Sequence, residues 1–265
     1  MQLQPHPALK RFVRHYLILD GLHPVNGMHR LFADGNTGLV FNLDNALMCA
    51  AGNKPAQHTC WLYGQVKTYH DLSLTGSINW IVVVLQPYGA YPLWGVPGSE
   101  WYNCFFPATE ILGARISDIS NALAKAKDLP QRICLLDNYL LQLVDQKCRS
   151  DEQVMQAVQH IMMQEGAVSV EALTQALTIS ERTLERKFNL QIGITPKRFA
   201  DIVRLGFSAK RMQRMQSPHS FTGIAYESGY YDQAHFINEF KKYTGITPQQ
   251  YHAQANPLAL NFLAL

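Results

Sequence analysis

The second half of the chain repeats itself at a fixed offset. Gly193-Ile194-Thr195-Pro196 recurs 52 residues later as Gly245-Ile246-Thr247-Pro248. In that register Leu184 meets Phe236, Phe188 meets Phe240, Leu173 meets Ala225, Ser180 meets Asp232 and Phe199 meets Tyr251. Self-similarity at one period marks a duplicated supersecondary unit, so any fold for residues 169–251 must contain the same unit twice.

Each copy predicts two short helices and a sharp turn. In the first, Ser169 is an N-cap, Val170, Leu173 and Leu177 share an apolar face, Thr178-Ile179 turn the chain, and Ser180 caps a helix with Leu184 and Phe188 inside. In the second, Ser220 caps a helix carrying Phe221, Ile224 and Ala225, Gly229 supplies a turn that favours positive φ, and Asp232 caps the helix of Phe236 and Phe240. This is the helix-turn-helix pattern, whose second helix lies in a DNA major groove. Thr195-Pro196 and Thr247-Pro248 each place Pro just inside a helix start, and Gln250 completes a capping box in the second copy. A long helix from Pro196 to about Gln213 joins the copies. Gly206 within it costs roughly 1 kcal/mol relative to Ala, so close packing of a neighbouring helix is expected there.

The positions left outside have the chemistry of base reading. On the first reading helix they are Glu181, Arg182, Glu185, Arg186 and Asn189; on the second, Gln233, Ala234, Ile237, Asn238 and Lys241, with Lys242 beside them. Arg bonds guanine edges bidentately, and Gln and Asn suit adenine. One isolated helix of this kind would be an ordinary solvated face; two in register are better explained as paired readers. Between Arg182 and Arg214 stand nine basic residues (Arg182, Arg186, Lys187, Lys197, Arg198, Arg204, Lys210, Arg211, Arg214) against Glu185 and Asp201. Such a run can neutralise phosphates, and a solvated helix surface would look the same.

Ser180-x-x-x-Leu184-x-Arg186-x-Phe188, Gly193-x-x-Pro196, Ile224-Ala225-x-x-x-Gly229-Tyr230, Phe236-x-x-x-Phe240 and Gly245-x-Thr247-Pro248-x-x-Tyr251 resemble the DNA-binding domain of AraC/XylS-type transcription regulators over residues 151–252. The resemblance implies two helix-turn-helix units on double-stranded DNA, bridged by a long helix and reading successive major-groove segments. RNA polymerase and a second copy of the chain follow as candidate partners. Asn238 stands where such domains often have Arg, so base preference does not carry over.

Ahead of this region the text changes to short strands. Tyr16-Leu17-Ile18-Leu19 follows a short helix, and 38–43, 59–63 and 79–86 are further strand candidates. Asp34-Gly35-Asn36, Gly52-Asn53 and Gly76-Ser77 break them as turns. Residues 90–107 are dense in aromatics (Tyr91, Trp94, Trp101, Tyr102, Phe105, Phe106), a set that suits a core more often than the wall of a small-molecule pocket. Ile116, Ile119 and Leu123 mark one helix. Ile133, Leu136, Leu140, Leu143 and Val144 mark another, opened by Pro130; its near-heptad spacing fits packing on its own sheet first and pairing with a second copy next. Arg11-Phe12-Val13-Arg14-His15-Tyr16, Asp34-Gly35-x-x-x-Leu39-Val40-Phe41-Asn42-Leu43, Gly64-Gln65 and Leu93-Trp94-Gly95-Val96-Pro97 resemble the sensor-like N-terminal domain of a subset of AraC-type regulators. That implies an architecture and a possible small-molecule effector, and names no ligand.

The expected fold class is α+β: a β-rich, barrel- or sandwich-like sensing or dimerising domain with flanking helices over 1–149, then an all-α double helix-turn-helix domain over 150–255. Ser150-x-x-Gln153 is read as a capping box opening the second domain, whose first helix carries Val154, Ala157, Val158, Ile161 and Met162 as far as Gly166. The apolar tail 256–265 is compatible with docking on the body or with disorder.

The remaining chemistry is thin. Cys49, Cys60, Cys104, Cys134 and Cys148 are odd in number and lack Cys-x-x-Cys, which fits a reducing compartment and no disulfide or zinc framework. Ten histidines include no His-x-His or His-Glu-x-x-His. The strand 80–85 is too short to span a bilayer, and the first residues have no signal-peptide core, so a cytoplasmic protein with no membrane partner and no cofactor is expected. The function read from the chain is a DNA-binding transcription regulator without catalysis. Two rivals remain: a DNA-binding module fused to a repair methyl-acceptor enzyme using Cys49, Cys60 or Cys104, and a ligand-independent regulator whose N-terminal domain only holds a dimer together.

Overall fold

The computed structural model describes residues 1–22, 27–44, 47–50, 59–147, 151–214, 221–253 and 259–265. The first part runs β1 (Gln2–Leu3), β2 (Val13–Leu22), β3 (Gly27–Phe32), β4 (Gly38–Asn42), β5 (Leu47–Ala50), β6 (Cys60–Tyr63), β7 (Tyr69–Thr75) and β8 (Ile78–Leu85). Then come α1 (Ala90–Trp94), β9 (Phe105–Pro107), α2 (Ala108–Leu112), α3 (Arg115–Lys125) and α4 (Leu129–Lys147). The helical part is α5 (Glu152–Met163), α6 (Val170–Leu177), α7 (Glu181–Gln191), α8 (Pro196–Gln213), α9 (Phe221–Glu227), α10 (Gln233–Thr244) and α11 (Pro248–Ala253), and a last strand, β10 (Phe262–Ala264), follows.

The strands form two antiparallel sheets, ordered β1-β2-β8-β4-β6-β9 and β10-β3-β7-β5. Successive side chains of a strand face opposite ways, and β8 is buried on both sides. Trp80, Val82 and Val84 meet Val40, Leu72, Leu74 and Phe262 between the sheets, while Ile81, Val83 and Leu85 meet Leu123, Leu136 and Leu140 of the covering helices α3 and α4. That double burial is why 80–85 is a continuous apolar run. The expected strands at 38–43, 59–63 and 79–86 are present as β4, β6 and β8. The sequence missed β1, β3, β5, β7, β9 and β10.

Of the aromatic stretch 90–107, Trp101 is fully buried and stacks on Trp94 at 5.8 Å between ring centroids, while Tyr91, Trp94, Tyr102, Phe105 and Phe106 are half-buried. On α4, Leu136 and Leu140 are fully buried against the sheet, as its own-sheet packing required. The opening of α5 differs from expectation. Asp151, rather than a Ser150 box, is its N-cap, and its carboxylate accepts from the Gln153 and Val154 amides. The carboxylate is the stronger acceptor and lies one residue nearer the first free amides. Ser150, Gly52-Asn53 and the Ser220 cap lie outside the described residues.

The two parts share one continuous core. Phe32, Ala33, Val66 and Tyr88 of the sandwich pack with Phe188, Phe199, Ile202 and Val203 of the helical domain. The N-terminal signature residues build this seat. Gly35 lies against α8, where an added Cβ would come 3.0 Å from the Phe199 ring. Gln65 holds the Gly35 carbonyl at 2.8 Å, and Arg14 donates to Asn36 at 3.1 Å. Gly98 meets Gly193 backbone to backbone; a Cβ on Gly98 would stand 2.5 Å from the Gly193 amide nitrogen. The docked tail completes the junction, because β10 pairs with β3.

Candidate nucleic-acid interface

Both repeats fold alike. Ser169 Oγ accepts from the Ala172 amide, and Thr178, at φ +53°, reverses the chain into α7, where Ser180 Oγ accepts from the Thr183 amide. In the second copy Gly229, at φ +73°, makes the turn, and Asp232 accepts from the His235 amide at 2.7 Å. Thr195 caps α8 with Pro196 at its first position. Thr247 and Gln250 cap α11 reciprocally, at 2.8 and 3.2 Å. Leu184 and Phe188 on α7, and Phe236 and Phe240 on α10, are fully buried.

That inner anchoring fixes what remains outside. Arg182, Glu185, Arg186 and Asn189 are exposed on α7; Gln233, Ala234, Asn238, Lys241 and Lys242 are exposed on α10, and Ile237 is half-buried. The sequence-derived positions therefore fall on one face of each helix, with two qualifications. Gln233 already accepts a hydrogen bond from the Thr222 hydroxyl at 2.7 Å, and Lys242 pairs with Glu239 at 2.9 Å. One exposed residue escaped the sequence reading. Tyr231, 85 % exposed, stands just before the Asp232 cap at the mouth of α10. An aromatic side chain outside a turn was the available signal.

The basic run is less free than its count suggested. Lys187 pairs with Asp151, Arg211 with Glu165, and Lys197 and Arg204 with Asp201 at 2.9 and 2.5 Å. Arg198 donates to the Lys67 carbonyl. Arg204 also lies over the Tyr230 ring at 4.8 Å, and burial pushes that phenol up to about 12. These cations bind the helices to one another and to the sandwich. Arg182, Arg186 and Arg214 carry no such pairing among the described residues and point to solvent.

A cavity of about 310 Å³ opens between the sandwich and α8. Leu17, Leu19, Val40, Trp80, Val82 and Val84 give its apolar wall, with Val203 and Phe207 from α8 and Phe262 from β10. Arg14, His15 and Lys210 also line it, with Asp34. Burial and then the Arg14 charge lower the His15 pKa to about 4, and burial, Arg14 and Arg214 lower that of Lys210. Gly206, expected at a close helix contact, faces this space: no atom lies within 4 Å of where its Cβ would be. Of the aromatic stretch, Phe105 alone reaches the wall.

Residues 173–254 match the family model described as a helix-turn-helix domain. An uncharacterized HTH-type transcriptional regulator of Haemophilus influenzae is 39 % identical over 82 residues, 31 % of this chain and 27 % of that protein. The C-terminal domain is a helix-turn-helix domain of the AraC type. Similarity reaches beyond this AraC-type domain in the HTH-type transcriptional activator RhaS of Pectobacterium carotovorum, 25 % identical over 190 residues, 66 % of this chain and 63 % of that protein. The chain thus covers less than two thirds of either relative. Residues 1–107 match a domain of unknown function, DUF6597. The fold of the whole, sandwich plus AraC-type domain, is similar to that of unsaturated fatty acid bound ToxT from Vibrio cholerae. The TM-score is 0.50 at 13 % identity, over 89 % of this chain and 94 % of that one. Among the described residues no helix is long and apolar enough to cross a membrane.

Proposed function

We propose that this protein is a sequence-specific transcription regulator of the cytoplasm. In this reading α7 and α10 enter successive major-groove segments of double-stranded DNA, the sandwich domain takes a small-molecule effector, and no enzymatic step is involved. One observation carries the DNA reading: four of the five register positions (181/233, 182/234, 186/238 and 189/241) are exposed on both reading helices, and the inner pairs Leu184/Phe236 and Phe188/Phe240 are buried on both. Arg186 reads a base, Asn238 prefers adenine, and Lys241 holds a phosphate. Arg182, Glu185, Asn189, Gln233, Ala234, Ile237 and Lys242 complete the contact faces, and Tyr231 adds its rim. The unlike faces make the site of one protomer asymmetric. At 1.5 Å per residue α8 spans ~27 Å, less than the ~34 Å groove repeat, so the reading helices project outward from the bridge or the DNA bends.

The cavity supports the effector. Apolar walls with Arg14 and Lys210 against the single carboxylate Asp34 leave excess positive charge at one place, which suits an apolar molecule bearing an anionic group. The fatty acid bound to ToxT has that chemistry. Burial raises the Cys60 and Cys104 thiols, the wrong direction for a methyl-accepting thiolate, which favours the regulator over the enzyme. A second copy on the half-buried flank of α4, and RNA polymerase at the promoter, belong to the same reading.

Selection of sites from a random DNA pool, followed by footprinting, tests this with the full chain. Protection should cover about two helical turns with unlike halves. Arg186→Ala should cost ~1–3 kcal/mol and relax preference at one position, whereas Lys241→Ala should weaken all sites alike and lower the salt slope by about one. Equal loss on every sequence for Arg186→Ala, or protection of a single turn, would overturn the reading.

A further inference from the structure

The last strand stitches the two cores together. Adjacent side chains of a strand point to opposite faces, and β10 uses both. Phe262, 6 % exposed, enters the core between the sheets, with its ring 6.4 Å from Trp80 and 5.4 Å from His29. Leu263, fully buried, belongs to the core of the helical domain. The backbone is held along its length. Phe262, Leu263 and Ala264 pair with Leu31, Arg30 and His29; the Phe32 amide donates to the Asn261 carbonyl at 3.0 Å, and the Leu265 amide to the Met28 carbonyl at 2.9 Å. Asn261 adds a side-chain bond to the Phe32 carbonyl at 3.0 Å, and Tyr251 of α11 donates to the Leu260 carbonyl at 2.9 Å.

The neighbouring residue of β3 continues the connection to the second helix-turn-helix unit. Arg30 is clamped by Asp71 at 2.6 and 2.7 Å, lies 4.1 Å over the Tyr69 ring and reaches the Thr244 carbonyl at 3.5 Å, at the end of α10. Gly245 completes the fit, since a Cβ there would come 2.7 Å from Tyr69. Phe262 of β10, with Ala259, Leu260 and Asn261 just before it, also lines the cavity. One short segment therefore touches the cavity, the sandwich and the second reading unit.

We propose that β10 is a detachable clasp that holds the second helix-turn-helix unit against the sandwich, and that an occupant of the cavity tightens it. The second clause rests on the effector reading; the first does not. A molecule in contact with Phe262 binds the clasped state better than the open one, and linkage then requires that it favour strand pairing. The clasp adds to what holds α10 relative to α7, beyond α8 and the Arg30–Thr244 contact, and so lowers the ordering cost of meeting two groove segments at once.

Amide hydrogen exchange of the full chain, with and without the fluorescent amphipathic anion anilinonaphthalene sulfonate, decides it. Phe262→Ala should raise exchange more than tenfold in both 27–32 and 241–246 while leaving 170–191 unchanged. In the parent the probe should fluoresce and slow exchange in 27–32, and in the variant that protection should vanish. No coordinated rise in 27–32 and 241–246 overturns the clasp. A bound, fluorescent probe that leaves 27–32 unprotected overturns the coupling to the cavity. A probe that binds nowhere, with the clasp responding as expected, overturns the effector reading and with it the coupling, and leaves the clasp standing. If Phe262→Ala unfolds the chain, Asn261→Ala, which removes one bond to Phe32, takes its place with the same two segments read.

Discussion

Replacing Gly206 with leucine should stabilise the protein and silence its cavity. The position lies inside α8 with no atom within 4 Å of the missing Cβ, and it faces a space of about 310 Å³. Two terms have the same sign. Removing Gly from a helix interior gains close to 1 kcal/mol. Burying a leucine side chain gains ~1.5–3 kcal/mol when complete, and roughly half of that where the space is open on one side. The sum is about 2 kcal/mol. The opposing term, ~1–3 kcal/mol for overpacking, enters only where room is lacking. Urea unfolding should show a higher midpoint at unchanged m. Anilinonaphthalene sulfonate should lose its site, because the leucine side chain takes the space the probe would fill. A lowered midpoint would mean that Gly206 sits against atoms rather than beside a void, and the cavity argument would fall.

Three further outcomes follow from the same geometry. Gly98→Ala should loosen the seat between the sandwich and α7 by ~1–3 kcal/mol, seen as faster amide exchange over 98–101 and 192–194 with both domains still folded, because a backbone contact cannot be relieved by a side-chain rotation; unchanged exchange there would show the Gly98–Gly193 contact to be slack. His15, held neutral down to about pH 4 by burial and Arg14, makes the unfolded chain the better proton binder between its ordinary value of 6.5 and about 4, so stability should fall as pH is lowered from 6.5 to about 4 and His15→Gln should flatten that fall; an unchanged slope would remove His15 as its cause. Asn238→Ala should erase an adenine preference in one half of selected sites and spare the other half, and an unaltered half-site would take Asn238 out of the reading set.

The repeat was legible because helix-turn-helix units are written locally. Caps at Ser169, Ser180 and Asp232, a positive-φ Gly229 and inner pairs one turn apart all act within about a dozen residues. The sandwich is not written that way. β8 shows itself because both faces are buried, whereas β7, with Tyr69, His70, Asp71 and Ser73, carries polar side chains among its apolar ones and takes its identity from β3 and β5. β10 is less legible still, since its partner strand lies more than two hundred residues earlier. Charge misleads for the same reason of distance. Lys187 and Arg211 look like phosphate contacts until Asp151 and Glu165 arrive from other segments to bind them.

Gly206 shows how far local reasoning goes and where it stops. A glycine inside a helix that spends helix stability must make room for something, and that inference holds. The sequence cannot say whether the room is for a neighbouring helix or for a molecule that is not part of the chain. Folding brings the sandwich wall, Phe262 and the Arg14–Lys210 pair around the position without filling it. The expected close packing therefore fails, while the physical premise behind it survives: a side chain is missing from α8 where the domains meet. That is where an effector would need space to touch the bridging helix and the closing strand together.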